Sequence, residues 1–250
     1  MFPFPRGASV LVAVATAGLL AVTAAAASAT AQGTAEVANP KTVQLSNERT
    51  VTVWGNPLVA DPIRSAPRAS GRRVATLRLL TEDGRPEVYV VLSRRITASA
   101  DWLRVRVPGR PNGRKGWVRR DSLGPLRSNH RWLVVDRRTL HVKLYNSGRL
   151  IFHARVGTGK RKTPTPGGHY WIREKLRFGR SALYGRYALG TSAYAPSLSE
   201  WPGGGVIGIH GTSEPELIPG RPSHGCVRVR NRAMARLWRL TPVGTPLWIR

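Results

Sequence analysis

A period-two alternation of apolar and charged side chains constrains this 250-residue chain more than any other feature. In Trp102-Leu103-Arg104-Val105-Arg106-Val107, three aliphatic residues alternate with two arginines, the pattern of a half-buried strand. Glu87-Val88-Tyr89-Val90-Val91-Leu92 is a second run of this length. Gly116-Trp117-Val118 is a third, after the turn chemistry of residues 108–113. Several such runs over residues 50–126 predict a small β-barrel. Residues 32–49 are polar and aperiodic and predict a linker ahead of it.

A short boundary at residues 123–129 separates this region from a second one. There, residues 132–136, 139–145 and 150–156 read as strands, with Asn146-Ser147-Gly148 as a hairpin turn. One segment has helical spacing. Met234, Leu237 and Trp238 share a side, Asn231 is the expected N-cap, and Thr241-Pro242 the expected stop. Residues 245–250 read as a closing strand. The expectation is a mainly β chain with a second unit over 130–250 and a short helix near its C-terminus.

The N-terminus predicts export. Arg6 precedes 25 uncharged residues with apolar stretches at 10–14 and 18–22, and Ala29-Thr30-Ala31 fits a signal-peptidase site. A signal peptide is therefore expected over 1–31, with the mature chain at the cell wall. Left uncleaved, the leader is long enough to span a bilayer, which is the one route to membrane attachment. Lys and Arg number 40 against 13 Asp and Glu, a formal charge of +27, and the leader accounts for one arginine of it. Outside the cytoplasm such a surface meets anionic wall polymers rather than a genome. No zinc-finger spacing, basic zipper or aromatic RNA-binding pattern is present, so nucleic acid is not an expected partner.

Cys226 is the one cysteine, which excludes a disulfide framework and any Cys-based zinc cluster. Gly157-Thr158-Gly159-Lys160 fails as a phosphate loop because Ala154 and Arg161 stand where Gly and Ser or Thr are needed. Gly203-Gly204-Gly205 reads as a hinge or turn. His210, His224 and Cys226 offer zinc-type atoms but lack a fourth ligand, so neither metal nor cofactor is expected.

What surrounds Cys226 is more telling: Pro222-Ser223-His224-Gly225-Cys226-Val227-Arg228-Val229-Arg230-Asn231. Structural cysteines sit in apolar runs, whereas this one is flanked by polar and positive groups that favour a thiolate. His210 and His224 are both candidate bases. The N–H groups of Gly225 and Cys226 are candidate oxyanion donors.

Ile207-Gly208-Ile209-His210-Gly211-Thr212, followed after twelve residues by Ser223-His224-Gly225-Cys226-Val227-Arg228, resembles the catalytic signature of the L,D-transpeptidases of peptidoglycan. The resemblance also takes in residues 156–160, 163–167 and 244–246. It implies a β-sandwich-like catalytic domain with the cysteine on its cleft. It implies Cys226 as nucleophile and His210 as general base, oriented by the Gly211 carbonyl. His224, Arg228 and Ser223 take supporting or substrate-binding roles, Arg228 suiting a substrate carboxylate. Ser223 and Asn231 also have plain structural readings, as turn residue and helix cap. The Trp102-Leu103-Arg104-Val105 and Gly116-Trp117-Val118 pair resembles the end of bacterial SH3-like domains, implying either wall docking or a spacer.

The resemblance further implies ping-pong acyl transfer between peptidoglycan stem peptides through a Cys226 thioester. A second stem peptide gives a 3→3 cross-link, water gives an L,D-carboxypeptidase, and a protein amine gives an anchoring enzyme. A papain-like hydrolase requires a histidine far downstream, and none follows Cys226. A non-catalytic wall binder remains the alternative from a different class.

Overall fold

Alternating residues in the first region assemble into one antiparallel sheet in the computed structural model, which describes residues 41–179, 183–196 and 202–250. The expected leader and residues 32–40 lie outside the described residues. The strands are β1 (Thr42–Gln44), β2 (Thr52–Gly55), β3 (Pro62–Arg64), β4 (Arg73–Thr76), β5 (Tyr89–Ile96), β6 (Asp101–Arg106), β7 (Lys115–Arg119) and β8 (Arg127–Asn129). Their order is β4-β3-β7-β6-β5-β2-β8, with β1 also on β5. Leu103 and Val105 point into a core with Ile63, Tyr89, Val91 and Val118, as their alternation predicts.

Two features depart from the local pattern. β1 falls within the segment read as a linker and pairs Val43 with Arg94; its three residues are all exposed, so no apolar face marked it. Arg106, expected on the solvent side, is buried. Its guanidinium forms a two-pronged pair with Glu48, Nε to Oε1 at 2.6 Å and Nη2 to Oε2 at 2.7 Å. The partner lies 58 residues away, beyond the reach of any local pattern.

The second region builds β9 (Arg131–Asp136), β10 (His141–Asn146), β11 (Arg149–Gly159), β12 (Gly168–Arg177), β13 (Tyr187–Tyr194), β14 (Val206–His210), β15 (Gly220–Ser223), β16 (Val227–Val229), helix α1 (Asn231–Leu240) and β17 (Pro246–Ile249). Strand order is β10-β9-β17-β12-β13-β14-β16-β11-β15, with β10 also paired to β11. Long β11 and β12 belong to both halves. β11 leaves β10 for β16 and β15, and β12 leaves β17 for β13. The halves therefore face each other as a sandwich, filled by Leu133, Val142, Leu144, Ile172, Leu189, Ile209, Val227 and Leu247.

Helix α1 covers this core with Met234 and Leu237, as its spacing predicts. Its N-cap is Arg230, which makes no side-chain capping bond. Asn231 is the first helical residue, and its amide is spent elsewhere, as shown below. This corrects its expected role as cap.

β12 also carries the seam between the sheets. Tyr170 and Ile172 face the sandwich core, while Trp171 packs with Trp54, Val88, Val90 and Leu92, its indole N–H donating to the Val88 carbonyl at 2.7 Å. Arg173 is the extra residue of a β-bulge, since Ile172 faces Thr191 and Glu174 already faces Gly190. Its buried guanidinium enters a charged network with Glu87 and Glu82. Among the described residues, no helix is long and apolar enough to cross a membrane.

Candidate active site

Parallel pairing of β14 with β16 sets Ile209 beside Val227 and His210 beside Arg228. Strand alternation then sends Ile209, Val227 and Val229 into the core and turns Gly208, His210, Cys226 and Arg228 to the other face. His210, Cys226 and Arg228, with Ser223, His224 and Tyr184, line a cleft of about 200 Å³. One short stretch of backbone pairing thus brings two distant sequence motifs together.

Cys226 sits in the turn between β15 and β16, half-buried, and its Sγ accepts the Gly208 N–H at 3.4 Å. Gly225 before it adopts φ +130°, and a Cβ there would lie 2.8 Å from Ile207 Cδ1, so the turn requires glycine. Ser223 braces the turn from inside. Its hydroxyl accepts the Gly225 N–H at 3.1 Å and donates to the Cys226 carbonyl at 2.6 Å. Both Ser223 and the Gly225 N–H are therefore already committed. From the far side, buried Thr165 accepts the Gly159 N–H and donates to the Gly225 carbonyl at 2.7 Å.

His210 is 6 % exposed, and its Nδ1 meets the Gly211 carbonyl. A carbonyl only accepts, so Nδ1 carries the proton and Nε2 keeps its lone pair. The carbonyl is itself held. Asn231 Nδ2 donates to the Thr212 carbonyl and its Oδ1 accepts the Thr212 N–H, each at 2.9 Å. A Cβ on Gly211 would lie 2.2 Å from Asn231 Oδ1, so this reciprocal pair requires glycine there. The Tyr184 ring stands edge-on to the imidazole, centroids 4.8 Å apart.

Burial pushes the His210 imidazole down to about 4, Gly211 opposing and Arg228 reinforcing the shift. Burial pushes the Cys226 thiol up, against the Gly208 N–H and Arg228. The resting pair at neutral pH is thus thiol and imidazole, not thiolate and imidazolium. Arg228 reaches the cleft, but its Nη1 is already paired with the half-exposed carboxylate of Glu214. His224 lies exposed at the mouth. Among the described residues, no group of three or more His, Cys, Asp or Glu side chains is placed to hold a metal.

Residues 130–249 match the YkuD family model, the L,D-transpeptidase catalytic domain. The match spans 120 of the 250 residues, the second region alone. The chain is 28 % identical over 126 residues to YqjB of Bacillus subtilis, a candidate L,D-transpeptidase by name, covering 47 % of this chain and 70 % of that protein. It is 33 % identical over 111 residues to a YkuD protein of Bacillus licheniformis, covering 44 % and 59 %. An Enterococcus faecium L,D-transpeptidase structure matches at 23 % identity and TM-score 0.38, and this chain spans about half its length, 48 % of this chain covering 49 % of that one. A Mycobacterium smegmatis L,D-transpeptidase structure covers 86 % of this chain and 92 % of its own at 16 % identity and TM-score 0.39.

Sequence reasoning missed Thr165, Tyr184, Asn231's second role and the Glu214 contact. Asn231 carried a signal, a side chain able to bond both the N–H and the carbonyl of another residue. Thr165, 61 residues before Cys226, carried none that spacing alone reveals.

Proposed function

We propose that the chain is an exported L,D-transpeptidase that forms 3→3 peptidoglycan cross-links through a Cys226 thioester, with β1 to β8 as an SH3-like module. The observation that carries this reading is the shared face of β14 and β16, which presents Cys226 and His210 to one cleft. His210 Nε2 takes the Cys226 proton as Sγ attacks the carbonyl of the third residue of a donor stem peptide. The oxyanion faces the Cys226 N–H. The C–N bond to the terminal D-alanine breaks, and the imidazolium returns the proton to the leaving amine. An acceptor amine then attacks the thioester, His210 takes its proton, and the thiol is restored.

The test is mass spectrometry of the full chain with a tetrapeptide donor, with and without an acceptor peptide. A thioester on the wild type, absent in Cys226→Ala, and a cross-linked dimer are expected. Tripeptide formed at the same rate without dimer would make the enzyme a carboxypeptidase. No adduct would leave a wall-binding protein.

Arg228 supplies the grip on the donor's carboxylate, and Glu214, 46 % exposed at its side chain, competes for the same guanidinium. An exposed ion pair of this kind is worth about 0.2–1 kcal/mol. Glu214→Gln is therefore expected to lower KM for a donor with a free carboxylate by up to about fivefold, with kcat unchanged, in steady-state kinetics. A raised KM would mean that Glu214 orients Arg228 rather than competing with substrate.

A further inference from the structure

The turn between β6 and β7 reaches across to the cleft. Arg110 Nε and Nη2 donate to the Ala195 carbonyl at 3.0 and 2.8 Å, and Nη1 donates to the Gly204 carbonyl at 2.9 Å. Asn112 pairs with Tyr194 in both directions, Nδ2 to the carbonyl at 2.8 Å and the Tyr194 N–H to Oδ1 at 3.1 Å. The Arg110 guanidinium also lies 5.2 Å from the Tyr194 ring centroid. The gripped backbone forms the cleft: Ala195 and Gly205 line it beside Cys226, and the Ala195 N–H donates to the Gly205 carbonyl at 2.8 Å.

These contacts adjoin those that hold the sheets together, where the Tyr194 hydroxyl meets Arg78, Arg173 and Glu82, but they fall on backbone rather than on the ion network. The seam itself is closed by Trp171 on Val88 and by Arg173 on Glu87, not by the β6–β7 turn. A turn needed merely for docking has no reason to satisfy the backbone of the cleft wall. One arginine spanning two carbonyls fixes their spacing, because the guanidinium is a rigid planar fork. One asparagine holding both the N–H and the carbonyl of Tyr194 fixes that residue's orientation, just as Asn231 fixes Thr212 beneath His210.

We propose that Arg110 and Asn112 are positioning residues for the reaction at Cys226. Through them the N-terminal sheet builds the outer wall of the substrate cleft and is neither a spacer nor solely a docking module. The wall sets where the donor peptide lies against the thiol, so its loss weakens productive binding while the thiol and its base keep their chemistry. This rests on the transpeptidase reading for its substrate, but not for its geometry.

The test uses the full chain with Arg110→Ala, Arg110→Lys and Asn112→Ala. The first readout is donor-peptide acylation, resolved into KM and kcat. The second is alkylation of Cys226, the chain's one thiol, by iodoacetamide and by a bulky N-aryl maleimide. Thermal melts accompany both. Arg110→Ala is expected to raise KM at least tenfold and change kcat by less than threefold, with the melting temperature nearly unmoved. Iodoacetamide alkylation should stay within twofold of wild type, while the bulky-to-small reactivity ratio shifts at least threefold. Arg110→Lys should not restore KM, since an ammonium cannot span both carbonyls. An unchanged KM in Arg110→Ala overturns the proposal, as does a loss restored by lysine or one that follows the melting temperature. Should wild type take no acyl group from any donor, the transpeptidase reading falls alone, and the alkylation ratio decides the positioning role: a shift sustains it and no shift overturns it.

Discussion

Replacing His210 by alanine is expected to slow acylation of Cys226 by a donor peptide about 10²–10⁴-fold, the usual cost of deleting a general base. His224→Gln is expected to lose clearly less and to act on KM. The two histidines differ in what fixes them. His210 ends β14, is buried, and has Nδ1 held by a carbonyl that the Asn231–Thr212 pair locks in turn. His224 is exposed at the mouth of the cleft. The pH profile separates base from bystander. With His210 pushed by burial down to about 4, the base is free throughout the neutral range, and the acid limb of acylation should fall near pH 4 rather than near the ordinary imidazole value. Stability carries the same sign. The unfolded chain binds a proton at this residue near pH 6.5 that the folded chain refuses until about 4, so this contribution fades as pH falls through that window. Stopped-flow acylation and melts of wild type and both variants across pH 4–8 check these outcomes. A greater loss in His224→Gln would exchange the roles.

Much of the sandwich was legible because its strands are amphipathic on a period of two, as in β10 and β11 from Phe152 to Val156, or form short apolar runs, as in β9. The strands flanking the cleft were harder. β12 buries both faces, one on the sandwich core and one on the N-terminal sheet, so Trp171 and Arg173 follow no single-face pattern. β13 is buried along nearly its whole length, including Thr191 and Ser192, and shows no alternation at all. The Cys226 motif was legible because chemistry narrows residue choice: a thiol among glycine, histidine and arginine makes poor core. What held that motif in place was not. Thr165 and Asn231 act through backbone groups of distant residues, and a hydroxyl or amide spent on the backbone leaves no periodicity behind.

Arg173→Met is expected to destabilise the chain by about 3–5 kcal/mol, the usual cost of stranding one partner of a buried ion pair. That corresponds to a fall in melting temperature of roughly 6–20 °C for a chain of this size. Arg173 and Glu87 both have fully buried side chains, and Arg173 Nε donates to Glu87 Oε1 at 2.7 Å. Nη1 also meets Glu82 Oε2 at 3.0 Å, and Arg78 bridges Glu82 and Glu87 from the rim. Two arginines against two glutamates leave the network neutral, so removal of one arginine leaves an excess buried negative charge. The pair itself need not add net stability, because removing both ions from water is costly. The double variant Arg173→Met/Glu87→Gln should therefore recover a good part of the loss, and a double-mutant cycle measures how much. The loss should also depend on pH. Burial pushes Glu82 up, but Arg173, Tyr194 and Arg78 together hold it down to about 2. Its contribution is thus complete above the ordinary carboxylate value of 4.5 and is lost as pH falls from there toward 2. Removing Arg173 removes the strongest of the groups holding it down. The stability gap between wild type and Arg173→Met should then be widest at neutral pH and narrow below about 4.5 in urea titrations. A gap that is small at neutral pH, or that widens in acid, would show that the seam is held by Trp171 and its apolar neighbours, with the charges as passengers.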